Sequence, residues 1–329
     1  MKTTKTQLID FLRHQRWGLI LLTAILFYGC EKEESIEYEE SNFETFNIKS
    51  IKNTVSISSS GFDFEAPDQI PSGWTTFEYQ NNAHHPHFFI LEKMPEGFDV
   101  NNSINEVVPL FQEGMDFIID GDFDSALAAF GNLPAWYFQV VIVGGPGMVS
   151  AGESAISTVN LEPGTYVIEC YVKLPDGTFH TTLGMIDQII VTEESNNNVV
   201  PKADVNINVS STSGIEILNT IKPGLRTFEV NFEDQIVHEH FLGHDVQLVK
   251  LEDTADISSL NAWMNWSAPL GLTGHGVDGV TFIGGTQEAP AGDTTYFTAL
   301  LKPGNYALIA EVPDPMSKGM LQTFTVPSN

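Results

Sequence analysis

The sequence predicts an all-β protein built as two tandem β-sandwich domains, and three observations carry that prediction. Short apolar runs alternate with turns rich in Gly, Pro, Thr and Ser, and apolar residues make up 42% of the chain against 18% charged, a balance that builds a core and does not leave a disordered chain. A frame of residues occurs twice at one spacing: Gly144, Gly145, Gly152, Leu161, Pro163, Gly164 and Tyr166 recur as Gly284, Gly285, Gly292, Leu301, Pro303, Gly304 and Tyr306. The length, 329 residues, suits two domains of ordinary size.

The first residues are a targeting segment and stand outside the fold. Lys2, Lys5, Arg13 and Arg16 precede an apolar run over 17–28 that is too short for a comfortable membrane span, and it ends in Gly29-Cys30. This resembles a bacterial lipobox, which implies a signal peptide over 1–29 and a lipid on Cys30 that holds the chain to a membrane. The acidic start Glu31-Lys32-Glu33-Glu34 resembles the surface-export signal of Bacteroidota lipoproteins. The expected location is the outer membrane, facing outward, with the periplasmic face as the alternative. Residues 30–50 form an acidic tether. Cleavage removes four of the 15 Lys and Arg and one of the 43 Asp and Glu, leaving 11 against 42 and a formal charge of −31. A surface of that sign repels phosphate backbones, so nucleic acid is excluded as a partner.

The first domain, 51–195, opens with a loosely alternating run over 55–64 and a turn at Ile70-Pro71-Ser72-Gly73. Strands follow at 74–79 and 88–91, separated by the polar loop Asn81-Asn82-Ala83-His84-His85-Pro86-His87. Ser103 and Glu106 read as a capping box opening a helix toward Ile119, with a kink at Pro109, and 124–130 reads as a second short helix ended by Gly131. Strands at 138–143, 155–161, 165–172 and 186–192 complete the domain, with Glu162-Pro163-Gly164 as a turn. Residues 196–204 are the linker. The second domain, 205–329, repeats the plan with strands at 225–230, 246–251, 281–283, 294–301, 306–312 and 321–326 and a shorter helix at 256–266. Asp120-Gly121-Asp122-Phe123-Asp124 starts like a calcium loop but has Ser125 at the required Gly, and reads as a helix connection.

With Cys30 lipidated, Cys170 has no partner for a disulfide, and an exported protein keeps such a thiol as packing, ligand or reactive group. His87, Gly144-Gly145, Pro163-Gly164-x-Tyr166, Cys170 and the pair His180-x4-Met185 before a last strand together resemble the cupredoxin superfamily, the plastocyanin and azurin type. The resemblance implies a Greek-key sandwich over 60–192, a fainter one over 214–326, and one copper per chain held by His87, Cys170, His180 and Met185. Thiolate, two imidazoles and a thioether are the donors of a blue-copper site. The spacing departs from the family: nine residues separate Cys170 from His180 where two to four are usual. A turn at Leu174-Pro175-Asp176-Gly177 makes those nine a hairpin, which sets Cys170 opposite Thr182 and keeps His180 on the same face.

The second domain keeps His244 and Met320 but has Ala310 in place of Cys170, so a degenerate, copper-free sandwich is expected there. His238-Glu239-His240 is a further group of imidazoles, read as a polar loop. Two functional readings follow. The first is a non-enzymatic binding or structural module at the cell surface, without cofactor. The second is a type 1 copper protein for electron transfer or copper handling through the first domain, with a protein redox partner. No nucleophile elbow, zinc-protease motif or phosphate loop is present, and catalytic residues are expected to be absent.

Overall fold

The computed structural model describes residues 54–328. Each half of this span lays down eight strands in the same order. The first half has β1 (Thr54–Ser60), β2 (Asp63–Glu65), β3 (Gln69–Asn81), β4 (Ile90–Lys93), β5 (Val141–Ile142), β6 (Ser154–Leu161), β7 (Gly164–Glu169) and β8 (Ile186–Ser195). The second has β9 (Val205–Ser210), β10 (Gly214–Ile217), β11 (Gly224–Phe232), β12 (Val246–Leu251), β13 (Val280–Thr286), β14 (Thr294–Leu301), β15 (Gly304–Ile309) and β16 (Leu321–Val326). The pairings match: β1 runs parallel to β3 as β9 does to β11, and β3 pairs antiparallel with β6 as β11 does with β14. In the facing layer β4 pairs with β5 and β7, and β7 with β8; β12, β13, β15 and β16 repeat this. Each half is therefore a two-layer sandwich of mixed strands, and the all-β prediction holds.

The expected turn at Ile70–Gly73 is instead the bend of one long strand. Residues 69–72 pair parallel with β8, the register slips after Pro71, and from Gly73 on the strand pairs with β6. Pro71 has no amide to donate and Gly73 takes φ 108°, so the two residues that read as a turn let β3 cross from one layer to the other.

The helical insertion is present with its start corrected. Asp99, not Ser103, is the cap, and it opens α1 (Val100–Asn102); its carboxylate accepts from the Asn101 amide, and its own amide donates to the Asn102 side-chain oxygen. A π-helical turn over Ser103–Val107 leads into α2 (Val108–Asp120), where Pro109 sits in the first turn, the one place a helix spares an amide. Gly121, at φ 77°, ends α2, and Asp122 caps α3 (Phe123–Phe130). In the second half α4 (Ile257–Trp263) takes the corresponding place under the cap of Asp256.

The halves meet edge to edge. β6 pairs antiparallel with β14, with Ser157 opposite Phe297, Thr158 opposite Tyr296 and Ile156 opposite Thr298. Ser157 and Phe297 are equivalent positions of the repeat, so the pairing is symmetric about a local twofold axis at that point. A second ladder, residues 145–150 against 282–287, adds amide bonds from Gly147 to Gly285 O, from Gly284 to Met148 O and from Ser150 to Phe282 O. The larger apolar core runs from Phe77, Tyr79 and Phe89 of the first half through to Trp263, Met264, Trp266 and Phe282 of the second.

Candidate metal centre

The four residues singled out in the first half converge. His87 is fixed in both directions to Val149, donating its amide to the Val149 carbonyl at 3.0 Å and accepting the Val149 amide at 2.8 Å. Cys170 follows the last residue of β7 and donates its amide to Met185 O at 3.2 Å. His180 donates its amide to Val172 O, and Met185 returns its amide to His180 O at 2.9 Å across a single 3-10 turn, Thr181–Leu183, closed by Gly184 at φ 108°. All four amides are thus bonded. The hairpin expected between Cys170 and His180 exists, with Lys173 bridged to Phe179. Its register does not run on to Thr182: the 3-10 turn takes up those residues, so Met185 and not Thr182 is the backbone partner of Cys170.

The ligand atoms of His87, Cys170 and His180 lie within 4.8 Å of one another, the one such group of His, Cys, Asp and Glu side chains among the described residues. Cys170 Sγ is 3.8 Å from His180 Nδ1, His87 Nδ1 is 2.7 Å from Met185 Sδ, and the imidazole rings are 4.8 Å apart. All four side chains are fully buried. Burial, helped by the neighbouring imidazoles, lowers His87 to about 3 and His180 to about 2, so both rings are neutral at any ordinary pH. Burial pushes the Cys170 thiol up to about 12, although the backbone amides of Phe88 and Val172 bond toward the sulfur and favour its anion. A buried thiol of that kind ionises when a cation takes the proton's place.

The donors fit copper. Two neutral imidazoles offer Nδ1, a thiol lies beside them with two amides aimed at it, a thioether completes the set, and no Asp or Glu among the described residues joins the group. The Nε2 atoms of His87 and His180 are buried without hydrogen-bond partners. What seals them was not legible in the sequence. Phe62 packs on His180 at 4.7 Å and stacks on His85 at 5.9 Å, and His85 lies 5.8 Å from His180 and 6.4 Å from the exposed His275. His275 comes from the second half, whose segment 272–274 pairs with Lys173 and accepts His85 Nδ1 on Gly274 O at 2.9 Å. Of the cluster His84-His85-Pro86-His87, only His87 supplies a ligand atom.

The same backbone bonds recur in the second half with the ligands gone. Ala310 donates to Met320 O as Cys170 does to Met185 O, and Met320 donates to Pro315 O as Met185 does to His180 O. Ala310 and Pro315 therefore stand where Cys170 and His180 stand, and four residues separate them. The nine-residue spacing is the ordinary loop with a five-residue hairpin added. His244, the counterpart of His87, is turned to Asp234 O at 3.0 Å and to His238 Nε2 at 3.4 Å. Cys30 lies outside the described residues.

No family model matches the chain, and no curated protein matches it. Among solved structures it is similar to dithionite-reduced auracyanin from the photosynthetic bacterium Roseiflexus castenholzii, at 20% identity over 43% of this chain and 97% of that one, with a TM-score of 0.25. Two structures from Nitrosomonas europaea extend over both halves. A blue copper oxidase has 14% identity over 82% of this chain and 84% of its own, TM-score 0.21; a copper nitrite reductase has 12% identity over 84% and 94%, TM-score 0.21. The expectation that the chain is not an enzyme is corrected by these neighbours, since proteins named as enzymes align with more than four fifths of it. At such identities and TM-scores no activity, ligand or residue role passes from them to this chain. The chain's own strand pairings, repeated in both halves, and its His87, Cys170, His180 and Met185 set give the class: a cupredoxin-like tandem sandwich.

Proposed function

We propose that the chain is a one-copper protein of the type 1 class that carries electrons through its first half. The observation that carries this is the convergence of His87, Cys170, His180 and Met185 in one buried pocket. His87 and His180 would hold the metal through Nδ1, Cys170 through Sγ and Met185 as the weak fourth ligand. Copper bound there supplies a one-electron couple. Cys170 gives up its proton on loading, and the Phe88 and Val172 amides support the resulting anion. The four bonded backbone amides hold the side chains in place through a change of charge. The enclosure favours electron transfer over copper delivery, because handing on a metal requires ligands that reach the surface.

The reading includes a lipid anchor on Cys30 that places the protein on the outer membrane, facing outward, beside a protein redox partner. Its support is the leader sequence alone. Incorporation of a fatty-acid label into the wild-type chain and its loss in Cys30→Ala would test it.

The copper assignment is tested on residues 51–329 loaded with copper. An intense visible thiolate-to-copper absorption at one copper per chain, absent from Cys170→Ser, is the expected result. A colourless protein that takes up no copper overturns the assignment.

A further inference from the structure

Between the helical insertion and the second layer of the first half lies a cavity of about 40 Å³ for which the copper reading has no use. Phe111, Tyr137, Tyr171 and Trp266 give it aromatic walls, and Glu92 and Glu169 supply its two carboxyl groups. β4 and β7 set Glu92 opposite Val167 and Ile90 opposite Glu169, so the two carboxyls are diagonal neighbours on one face of the sheet. Glu92 is only 6% exposed, lines the cavity, and has no hydrogen-bond donor among the described residues. Its electrostatic neighbours are two more carboxyls, Glu169 and Glu288. The lysines adjacent in the fold are engaged elsewhere, Lys93 with Glu162 and Lys173 with the carbonyls of Trp266 and Ala268. A carboxyl buried in this way is held in its neutral form until something positive meets it, and a cation placed beside it takes the place of the proton.

We propose that this cavity is the binding site of a small organic ammonium ion, a primary amine of about three or four non-hydrogen atoms. The small volume limits the ligand to a few non-hydrogen atoms. Aromatic faces attract a desolvated ammonium through their quadrupoles, and the two carboxyls accept its N–H groups. A metal ion is the weaker fit. Nowhere in this cavity do three carboxylate or imidazole ligand atoms come within 4.8 Å of one another, as the donors of the copper pocket do. The site is assembled from both halves, since Trp266 and Leu242 close it from the second, so it exists only in the joined chain. It does not depend on the copper reading.

The test is calorimetric titration of residues 51–329 with propylammonium chloride, followed in parallel by tryptophan fluorescence, with 1-propanol as the neutral isostere and calcium chloride as the metal. Propylammonium is expected to bind one per chain and to change the fluorescence, while 1-propanol and calcium do neither. Glu92→Gln, which keeps the shape of the neutral acid but cannot ionise beside a cation and should fold about as well as wild type, is expected to weaken binding at least tenfold. Phe111→Leu, which keeps both carboxyls and removes one aromatic face, is expected to weaken it severalfold. Absence of propylammonium binding, equal binding of 1-propanol, saturation by calcium in its place, or an unchanged affinity in Glu92→Gln would each overturn the proposal.

Discussion

At the residue scale the gathering of His87, Cys170, His180 and Met185 is what the sequence already pointed to. Met185 illustrates what its position demands: it is fully buried, and its sulfur faces His87 Nδ1. Met185→Leu keeps the volume and is expected to cost under about 1.5 kcal/mol in a urea melt. It should leave the thiolate-to-copper absorption in place and shift the potential, because a weakly held thioether would tune the couple without forming it. Lys173 was invisible as a structural residue. It is fully buried, with its ammonium 2.5 Å from Trp266 O and 2.6 Å from Ala268 O, and so ties the ligand hairpin to the other half. Lys173→Met strands the Trp266 carbonyl and is expected to cost about 1–3 kcal/mol, measured by the same melts. The convergence of His87, Cys170, His180 and Met185 could be anticipated because chemistry restricts which residue types are candidates for a soft metal. Phe62, Lys173 and the 272–275 segment could not, since packing accepts many residue types and leaves no signature.

At the element scale, strands with clean alternation were legible and corners were not. β12 and β14 fall where the apolar runs put them, whereas Pro71 and Gly73, a turn by composition, lie inside β3 because a strand changing layers needs the same residues a turn does. The glycine pairs show what the repeated frame encodes. Gly145 and Gly285 take φ 131° and 127°, and a Cβ on them would come within 2.3 Å of Phe89 O and 2.2 Å of Val246 O. Gly145→Ala and Gly285→Ala are each expected to destabilise by about 2–4 kcal/mol, through a strained backbone and a clash with a carbonyl that cannot withdraw. Denaturant melts that leave either variant within 0.5 kcal/mol of wild type, about the spread of a neutral surface change, would refute this account.

At the scale of the whole molecule, the larger of two apolar cores spans both halves, and a single cooperative transition is expected in calorimetry; two separated peaks would mean that the halves melt independently. The acid balance gives that transition a direction with pH. Burial raises Asp245 to about 7, Glu288 to about 8 and Glu92 well above the carboxylate range. Between pH 6.5 and 8.5 the folded chain keeps protons there that the unfolded chain has released, so stability falls as pH rises. Lys173, lowered to about 7 by burial, works in the opposite sense with one proton, and the ligand imidazoles, neutral when folded, add a smaller effect of that same sense near pH 6.5. Melts at pH 6.5 and 8.5 should therefore show the lower midpoint at the higher pH. The symmetric meeting of Ser157 and Phe297 carries one more consequence. Joining two like modules across their own equivalent edges is a dimer written into one polypeptide, and the tether holds the second module at a local concentration that free subunits reach only in the millimolar range. Under that guarantee the second half keeps its place in the fold without the side chains that converge in the first, and Ala310 and Pro315 stand at two of those positions.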